Sequence, residues 1–321
     1  MNAWLSSIVV ALFAWLPALA QAADFPTQAV RIVVPFAPGG GTDLAARAIA
    51  ERLTASLGKP VLVENRPGGN SVIASRIVAT AAADGHTLLL TTDIHAINAA
   101  YAPQLPYDSL KDFGFVAQLT TSPLMLVAHP STGIRTVADL VRQAKAAPGR
   151  LSFASLGPSS PHYLGFEWFE RMAGIEVVDV PYKGGGQALA DTLGGQVDLS
   201  LVVAGNGIRQ ARAGKLLAVA VTSPRRTSIA PDVPTIAESG YPEFALVNWY
   251  AILAPAGTPT AIVERLNVEI GRALRDPGVV ERLAGAGLEP ATGSPAELEA
   301  LVRRDIDKYR RIIALTGAKL E

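Results

Sequence analysis

Short apolar runs alternate with amphipathic stretches along the chain from Val30 onward. Nine runs rich in β-branched residues and bounded by Pro, Gly or Asn predict buried strands, from RIVVPF and KPVLVEN to WYAILAPAG. Apolar residues at helical spacing predict helices between them, at residues 42–57, 137–147, 163–172, 187–193 and 262–274. Strands alternating with helices predict an α/β fold whose mostly parallel sheets carry helices on both faces.

Two stretches of the sequence resemble each other. VVPFAPGGGTDLA at 33–45 and VDVPYKGGGQALA at 178–190 each run from a strand through Pro, an aromatic residue and three glycines into a helix. Two βα turns could have acquired glycine independently. Alternatively, each of two lobes carries one such turn, and both turns face one cleft, because ligands of open α/β sheets bind beyond the carboxyl ends of the strands.

The length of 321 residues predicts two lobes. Chain crossings near residue 121 and near residue 245 place residues 24–121 and 246–321 in lobe 1 and residues 122–245 in lobe 2, joined by a two-connection hinge. The apolar N-terminus, which ends in the small-residue pattern Ala20-Gln21-Ala22, predicts a cleaved signal peptide over residues 1–23. A membrane anchor is the competing interpretation, although the run is short for a spanning helix.

The first glycine turn is the strongest candidate for ligand binding. Glycine lets a backbone approach a ligand closely, and the N-terminus of the following helix favours an anion. The pattern lacks the third glycine of a dinucleotide site and the G-K-[ST] of a P-loop, so a nucleotide is disfavoured. Thr42 and Asp43 are interpreted either as helix N-cap residues or as ligand contacts.

Further polar residues follow other predicted strands. Ser155, Gly157, Ser159, Ser160 and His162 lie between a strand and a helix, where their hydroxyls suit an oxyanion and where Ser159 or Ser160 would equally serve as an N-cap. At the second glycine turn, Tyr182 and Lys183 precede Gly184. A lysine there could contact a carboxylate or be merely solvated.

Composition and motifs exclude several classes of function. Twenty-eight basic residues balance twenty-eight acidic ones, so a nucleic-acid partner is not expected. The chain has no cysteine, and its four histidines lack metal-ligand spacing, so neither a metal nor a cofactor is expected. G-x-S-x-G is absent, and no paired carboxylates mark a glycosidase, so the sequence predicts a binding protein and not an enzyme.

Long motifs in one order resemble the Bug family of periplasmic receptors, the solute-binding components of tripartite tricarboxylate transporters. They include AVRIVVPFAPGGGTDLAARAIAERL, PYDSLKDF, VDVPYKGGGQALADTLGGQVDL and APAGTP. The resemblance implies a type II periplasmic-binding-protein fold with two lobes, a hinge and a central cleft. It also implies a periplasmic receptor that captures a small organic carboxylate and delivers it to two integral-membrane subunits. Nothing in the sequence indicates an obligate oligomer, so a monomer is expected.

The resemblance also implies which residues bind the ligand. The carboxylate would be held by backbone amides of two loops, with the polar run at the end of the third predicted strand lining the same cleft. The predicted ligand-binding residues are Phe36, Ala37, Pro38, Gly39, Gly40, Gly41, Thr42, Asp43, Thr91, Thr92, His95, Ser155, Gly157, Ser159, Ser160, His162, Tyr182, Lys183 and Gly184.

Two departures from the family pattern bear on the ligand. The loop SLGPSSPHYL at 155–164 carries two prolines, and the chain reads SLVVAGN at 200–206 where many members place an Asp. The missing acid favours a non-amino carboxylate, with an aromatic or apolar portion as one option. Three other interpretations stay open: a ligand sensor without a transporter, a secreted hydrolase, and a structural or adhesive protein.

Overall fold

The structure is a computed structural model that describes residues 25–101 and 105–319. The predicted signal peptide lies outside these residues. In the part of the chain that is described, no helix combines the length and the apolar character needed to cross a membrane.

Ten strands and ten α-helices are described. The strands are β1 (Val30–Val34), β2 (Val61–Asn65), β3 (Thr87–Thr92), β4 (Phe113–Ala128), β5 (Ser152–Ser155), β6 (Val178–Pro181), β7 (Leu199–Val203), β8 (Leu217–Val221), β9 (Val247–Pro255) and β10 (Glu289–Pro290). The helices are α1 (Gly41–Leu57), α2 (Val72–Ala79), α3 (Ile94–Tyr101), α4 (Val137–Ala146), α5 (Pro161–Ala173), α6 (Gly185–Leu193), α7 (Ala204–Arg212), α8 (Thr260–Ala273), α9 (Pro277–Gly285) and α10 (Pro295–Thr316). All nine predicted strands and all five predicted helices are present.

The strands form two groups with mixed directions. The first group has the order β2-β1-β3-β9-β4-β10 and the second has the order β8-β4-β7-β5-β6. β1 pairs in parallel with β2 and β3, and β5 with β6 and β7. β4 and β9 run antiparallel to their neighbours. The prediction of mostly parallel sheets was therefore wrong. The two strands at the crossing between the groups, β4 and β9, are antiparallel to the strands beside them.

β4 belongs to both groups. Residues up to Pro123 pair with β9, whereas Leu124 to Ala128 pair with β7 and β8. The change falls between Pro123, which pairs with Val247, and Leu124, which pairs with Val203. The chain returns just before β9, where the amide of Leu246 donates to the carbonyl of Thr222 at 2.9 Å.

The helices bury apolar side chains on both faces of the sheets. One buried cluster joins α1, α8 and α9 to one face of the first group. A larger cluster contains residues of both groups, including Trp249, Phe153 and Tyr309. It spans both because α10 packs against α3 and also against α5. Ser294 begins α10 with a capping box that it forms with Glu297.

Candidate functional site

The carboxyl edges of the two strand groups meet where β4 crosses. Pro123 lies opposite Val247, at the amino end of β9, and β9 runs against β3. Leu124 lies opposite Val203, the last residue of β7. The carboxyl ends of β1 and β3 in one group and of β5, β6 and β7 in the other therefore face this crossing. This is the position at which open α/β sheets bind ligands.

The first glycine turn connects β1 to α1 at this edge. α1 begins at Gly41, and its N-cap is Gly40, which offers no side-chain oxygen to the first helical amides. Those amides have no acceptor inside the helix, so they are available to an anion. The interpretation of Thr42 and Asp43 as N-cap residues was wrong, since both lie within the first turn of α1.

Asp43 organises this turn. Its carboxylate accepts hydrogen bonds from the Gly39 amide at 3.0 Å, from the Arg47 guanidinium at 3.0 Å and from the Asn65 side chain at 3.0 Å. The Arg47 hydrogen bond is the main cause of the lowered pKa of Asp43. Asn65 also donates to the carbonyl of Phe36 at 3.0 Å. Asp43 therefore fixes the loop, and the positive charge of Arg47 offsets its negative charge.

Tyr250, on β9, reaches the start of α1. A Cβ placed on Gly41 would lie 3.0 Å from the Tyr250 hydroxyl oxygen. Burial, with a contribution from the Asp93 carboxylate, raises the pKa of Tyr250 to about 12, so the phenol stays neutral near pH 7. The sequence prediction missed Tyr250, because the run WYAILAPAG indicates only a buried strand.

The second predicted loop follows β5. Ser160 is the N-cap of α5, accepting from the Tyr163 amide at 3.1 Å and donating to the Gly157 carbonyl at 2.7 Å. The Ser155 hydroxyl is buried and accepts from the Gly157 amide at 3.2 Å. Both serines therefore shape the loop. Ser159 is half-buried, and Nδ1 of His162 is buried without a partner among the described residues. Burial lowers the pKa of His162 to about 4.

The second glycine turn lies beside this loop, because the amide of Tyr182 donates to the Ser155 carbonyl at 2.9 Å. Gly184 is the N-cap of α6 and, like Gly40, leaves the first amides of its helix uncapped by a side chain. The Tyr182 hydroxyl donates to Asp191 of α6 at 2.9 Å, so its side chain points along the helix that follows the turn. Lys183 is exposed.

The polar run at the end of β3 and the start of α3 divides between two faces. Thr92 pairs with Tyr250 and shares its face, and its hydroxyl accepts from the Ile94 amide at 3.2 Å. Thr91 points to the opposite face and is fully buried. His95 is 0% exposed, and its Nε2 lies 2.9 Å from the Ser109 carbonyl. The prediction that His95 lines the cleft is not supported, because its ring packs against Tyr107 and Phe113.

One hydrogen bond joins the first group of strands to the second loop. The Tyr101 hydroxyl, at the end of α3, donates to the Pro158 carbonyl at 2.7 Å. Within residues 25–101 and 105–319, no group of three metal-ligating side chains is placed to hold a metal ion. What the edge offers is backbone amides, hydroxyls and neutral rings, which can bind an anion by hydrogen bonds.

The profile of the tripartite tricarboxylate transporter family receptors matches residues 45–318. The chain belongs to this family. Its relatives include the protein BugT of Bordetella pertussis, which is 37% identical over 303 residues that cover 94% of this chain and 93% of BugT.

Two solved structures extend the family comparison. The receptor is similar to R. palustris Rpa4515 with adipate, at 35% identity and a TM-score of 0.81, covering 92% of this chain and 100% of that one. It is also similar to MatC from Rhodopseudomonas palustris with bound malate, at 34% identity and a TM-score of 0.77, covering 90% of this chain and 100% of that one. The predicted α/β fold of a periplasmic binding protein is thereby confirmed, as is the receptor role.

Proposed function

We propose that this receptor captures a small organic carboxylate in the periplasm, between the carboxyl edges of its two strand groups. The uncapped first turn of α1 carries the proposal: Gly40 precedes helical amides that lack an acceptor, and Asp43 holds the turn in place. The relatives with adipate and malate support a carboxylate as the ligand class. Delivery to two integral-membrane subunits follows from the family and is part of the proposal.

We assign the ligand contacts from the geometry. The amides of 40–42 would hold one carboxylate, and the start of α6 after Gly184 would supply further amides from the other lobe. Ser159 and His162 are proposed side-chain contacts. Asp43, Ser155, Ser160 and Tyr182 position the loops through the hydrogen bonds described above.

Closure of two lobes around the ligand is the proposed mechanism. The division into residues 24–121 with 246–321 and residues 122–245 stays a prediction, supported by the crossing at Pro123 and the return at Leu246. Each lobe supplies part of the donors, so a bound carboxylate is satisfied only in the closed state. The ligand stabilises that state by its differential affinity.

A thermal-shift screen of mono-, di- and tricarboxylates, amino acids and aromatic acids tests this function. A ligand at a hundredfold excess over its Kd should stabilise the native state by about 2.7 kcal/mol. Folded protein that responds to no acid would contradict the proposal. A response confined to amino acids would contradict the non-amino carboxylate.

A glycine variant locates the site. Gly40 has a negative φ, and a Cβ there would meet only the Ala37 carbonyl, at 3.9 Å, so Gly40→Val should fold normally while its side chain obstructs the amides. Arg304→Ala is the matched control, because Arg304 lines a separate cavity of about 690 Å³ between β9 and α10. Equal affinity in Gly40→Val, or loss of binding in Arg304→Ala, would reject the glycine turn as the site.

A further inference from the structure

Four polar side chains lie in one row across β4 and β9. Thr120 pairs directly with Tyr250, and Ser122 pairs with Asn248. Paired residues of neighbouring strands point to the same side of a sheet, so all four share one face. We call these four residues the polar row. The face is that of α1, since the Tyr250 hydroxyl reaches Gly41.

The row holds buried polar atoms that lack partners. Thr120 is 0% exposed and Ser122 is 1% exposed, and neither hydroxyl has a hydrogen-bond partner among the described residues. The side-chain oxygen of Asn248 is also buried without a described partner. A buried polar group left unpaired costs free energy, so three such groups in one row call for a partner, either ordered water or a polar group of a ligand.

The chemistry of the row suits an uncharged polar group. Hydroxyls and an amide both donate and accept hydrogen bonds, and no cation belongs to the row. Without a cation in the row, a second ionised carboxylate buried here would have no charge partner. A ligand hydroxyl can donate to Asn248 and accept from a serine or threonine without that cost.

We infer that the polar row binds a hydroxyl group of the ligand, which makes this protein a receptor for a hydroxycarboxylate. The inference rests on the proposed function: the glycine turn holds the carboxylate, and the row holds the hydroxyl. Tyr250 connects the two parts, because it belongs to the row and its hydroxyl reaches Gly41 at the start of α1. The polar row also argues against a ligand with an aromatic or apolar portion, which the sequence left as one option.

Matched pairs of acids test this assignment by calorimetry. Each pair differs by one hydroxyl: malate and succinate, lactate and propionate, 3-hydroxybutyrate and butyrate, 3-hydroxyadipate and adipate. At least one hydroxylated acid should bind about tenfold more tightly than its partner, because a site built to pair a hydroxyl is left with unpaired groups by the analogue. If acids bind but the hydroxylated and deoxy members of each pair have equal affinities, the inference is overturned, while the proposed carboxylate site at the glycine turn still stands. No binding by any acid would overturn both.

Variants of the row provide the second test. Ser122→Ala, Thr120→Val and Asn248→Ala should each reduce the preference for the hydroxylated acid to about twofold or less, while the deoxy acid keeps its affinity. Ser200→Ala is the control, because the Ser200 hydroxyl, near the start of β7, is equally buried and has no partner among the described residues. Thr120→Val removes only an unpaired hydroxyl, so its Tm without ligand should equal or exceed that of the wild type. A preference that survives in all three variants would show that internal water, and not ligand, satisfies the row.

Discussion

The Tyr101 hydroxyl donates a 2.7 Å hydrogen bond to the carbonyl of Pro158. Tyr101 ends α3, beside the first strand group, and Pro158 lies in the loop that leads from β5 to α5 in the second group. Burial raises the pKa of Tyr101, so the phenol keeps its proton and remains a donor. The bond therefore ties the two proposed lobes together at the mouth of the candidate site.

Tyr101→Phe should weaken ligand binding by about threefold to tenfold if this hydrogen bond between the proposed lobes favours the closed state, because the variant loses it. Calorimetry measures the change, and small-angle scattering should show a more open ensemble without ligand. Tyr241→Phe serves as the control, since that ring packs on Phe169 away from the cleft. Unchanged affinity in Tyr101→Phe would mean that this bond does not contribute to closure.

Two glycines form a second contact between the strand groups. A Cβ on Gly205, in the first turn of α7, would lie 2.8 Å from Cα of Gly287, which follows α9. Gly205→Ala should force the backbones apart, lowering the free energy of unfolding by about 1–3 kcal/mol and also weakening ligand affinity.

Gly285→Ala is the matched control for that substitution. Gly285 ends α9 with open space around its Cβ position, so alanine there should be neutral or stabilising by up to about 1 kcal/mol. Denaturant titration of both variants tests the pair. Equal stabilities of Gly205→Ala and Gly285→Ala would contradict the role assigned to the close contact.

Asp43→Ala should loosen the first glycine turn. The Gly39 amide, Asn65 and Arg47 all lose their acceptor, so the free energy of unfolding should fall by about 1–3 kcal/mol, and ligand affinity should fall with it. The pKa of Asp43 is lowered in the folded state, so its contribution is present above its unfolded value of 3.8 and is lost as the pH falls below it. Urea titrations at pH 7 and pH 3 should therefore show a smaller difference between wild type and variant at pH 3.

Glu170 predicts a pH dependence on the alkaline side. Burial, with Glu167 nearby, raises its folded pKa to about 8 from an ordinary value of 4.5. The folded state then holds a proton that the unfolded state has released, so stability should fall between pH 5 and pH 8 by up to about 1.4 kcal/mol per pH unit from this group. Glu170→Gln keeps an acceptor for the Val177 amide and should flatten that decline. An identical pH profile in the variant would contradict this account.

The sequence predicted the elements well because their signals are local. Runs such as RIVVPF and HTLLLTT have the length and β-branched content of buried strands, and each lies in a strand of the structure. The glycine runs at the starts of α1 and α6 likewise predicted where these helices begin. The register of β9 against β4 is not a local property, so the polar row could not be predicted. In the sequence, Asn248 and Tyr250 alternate with Val247 and Trp249, and the whole segment resembles one apolar strand.

Side-chain roles were harder to predict than backbone elements. A histidine one turn into a helix after a polar strand end resembles a ligand contact, but the packing of Tyr107 and Phe113 around His95 depends on residues that are distant in the sequence. Asp43 resembles an N-cap residue by composition. The N-cap is Gly40, and the Asp43 carboxylate instead accepts hydrogen bonds from Arg47 and Asn65.

The residue at which β4 passes from one strand group to the other is a proline. Pro123 has no amide hydrogen, so it contributes no donor to the ladder with Val247. Leu124, the next residue, is anchored by its amide to the Thr222 hydroxyl at 3.0 Å. The proline ring fixes φ at residue 123, so only ψ can change there, and that change breaks no hydrogen bond donated by residue 123. If the two proposed lobes move relative to each other, this residue is the point of β4 at which the smallest number of sheet hydrogen bonds opposes the motion.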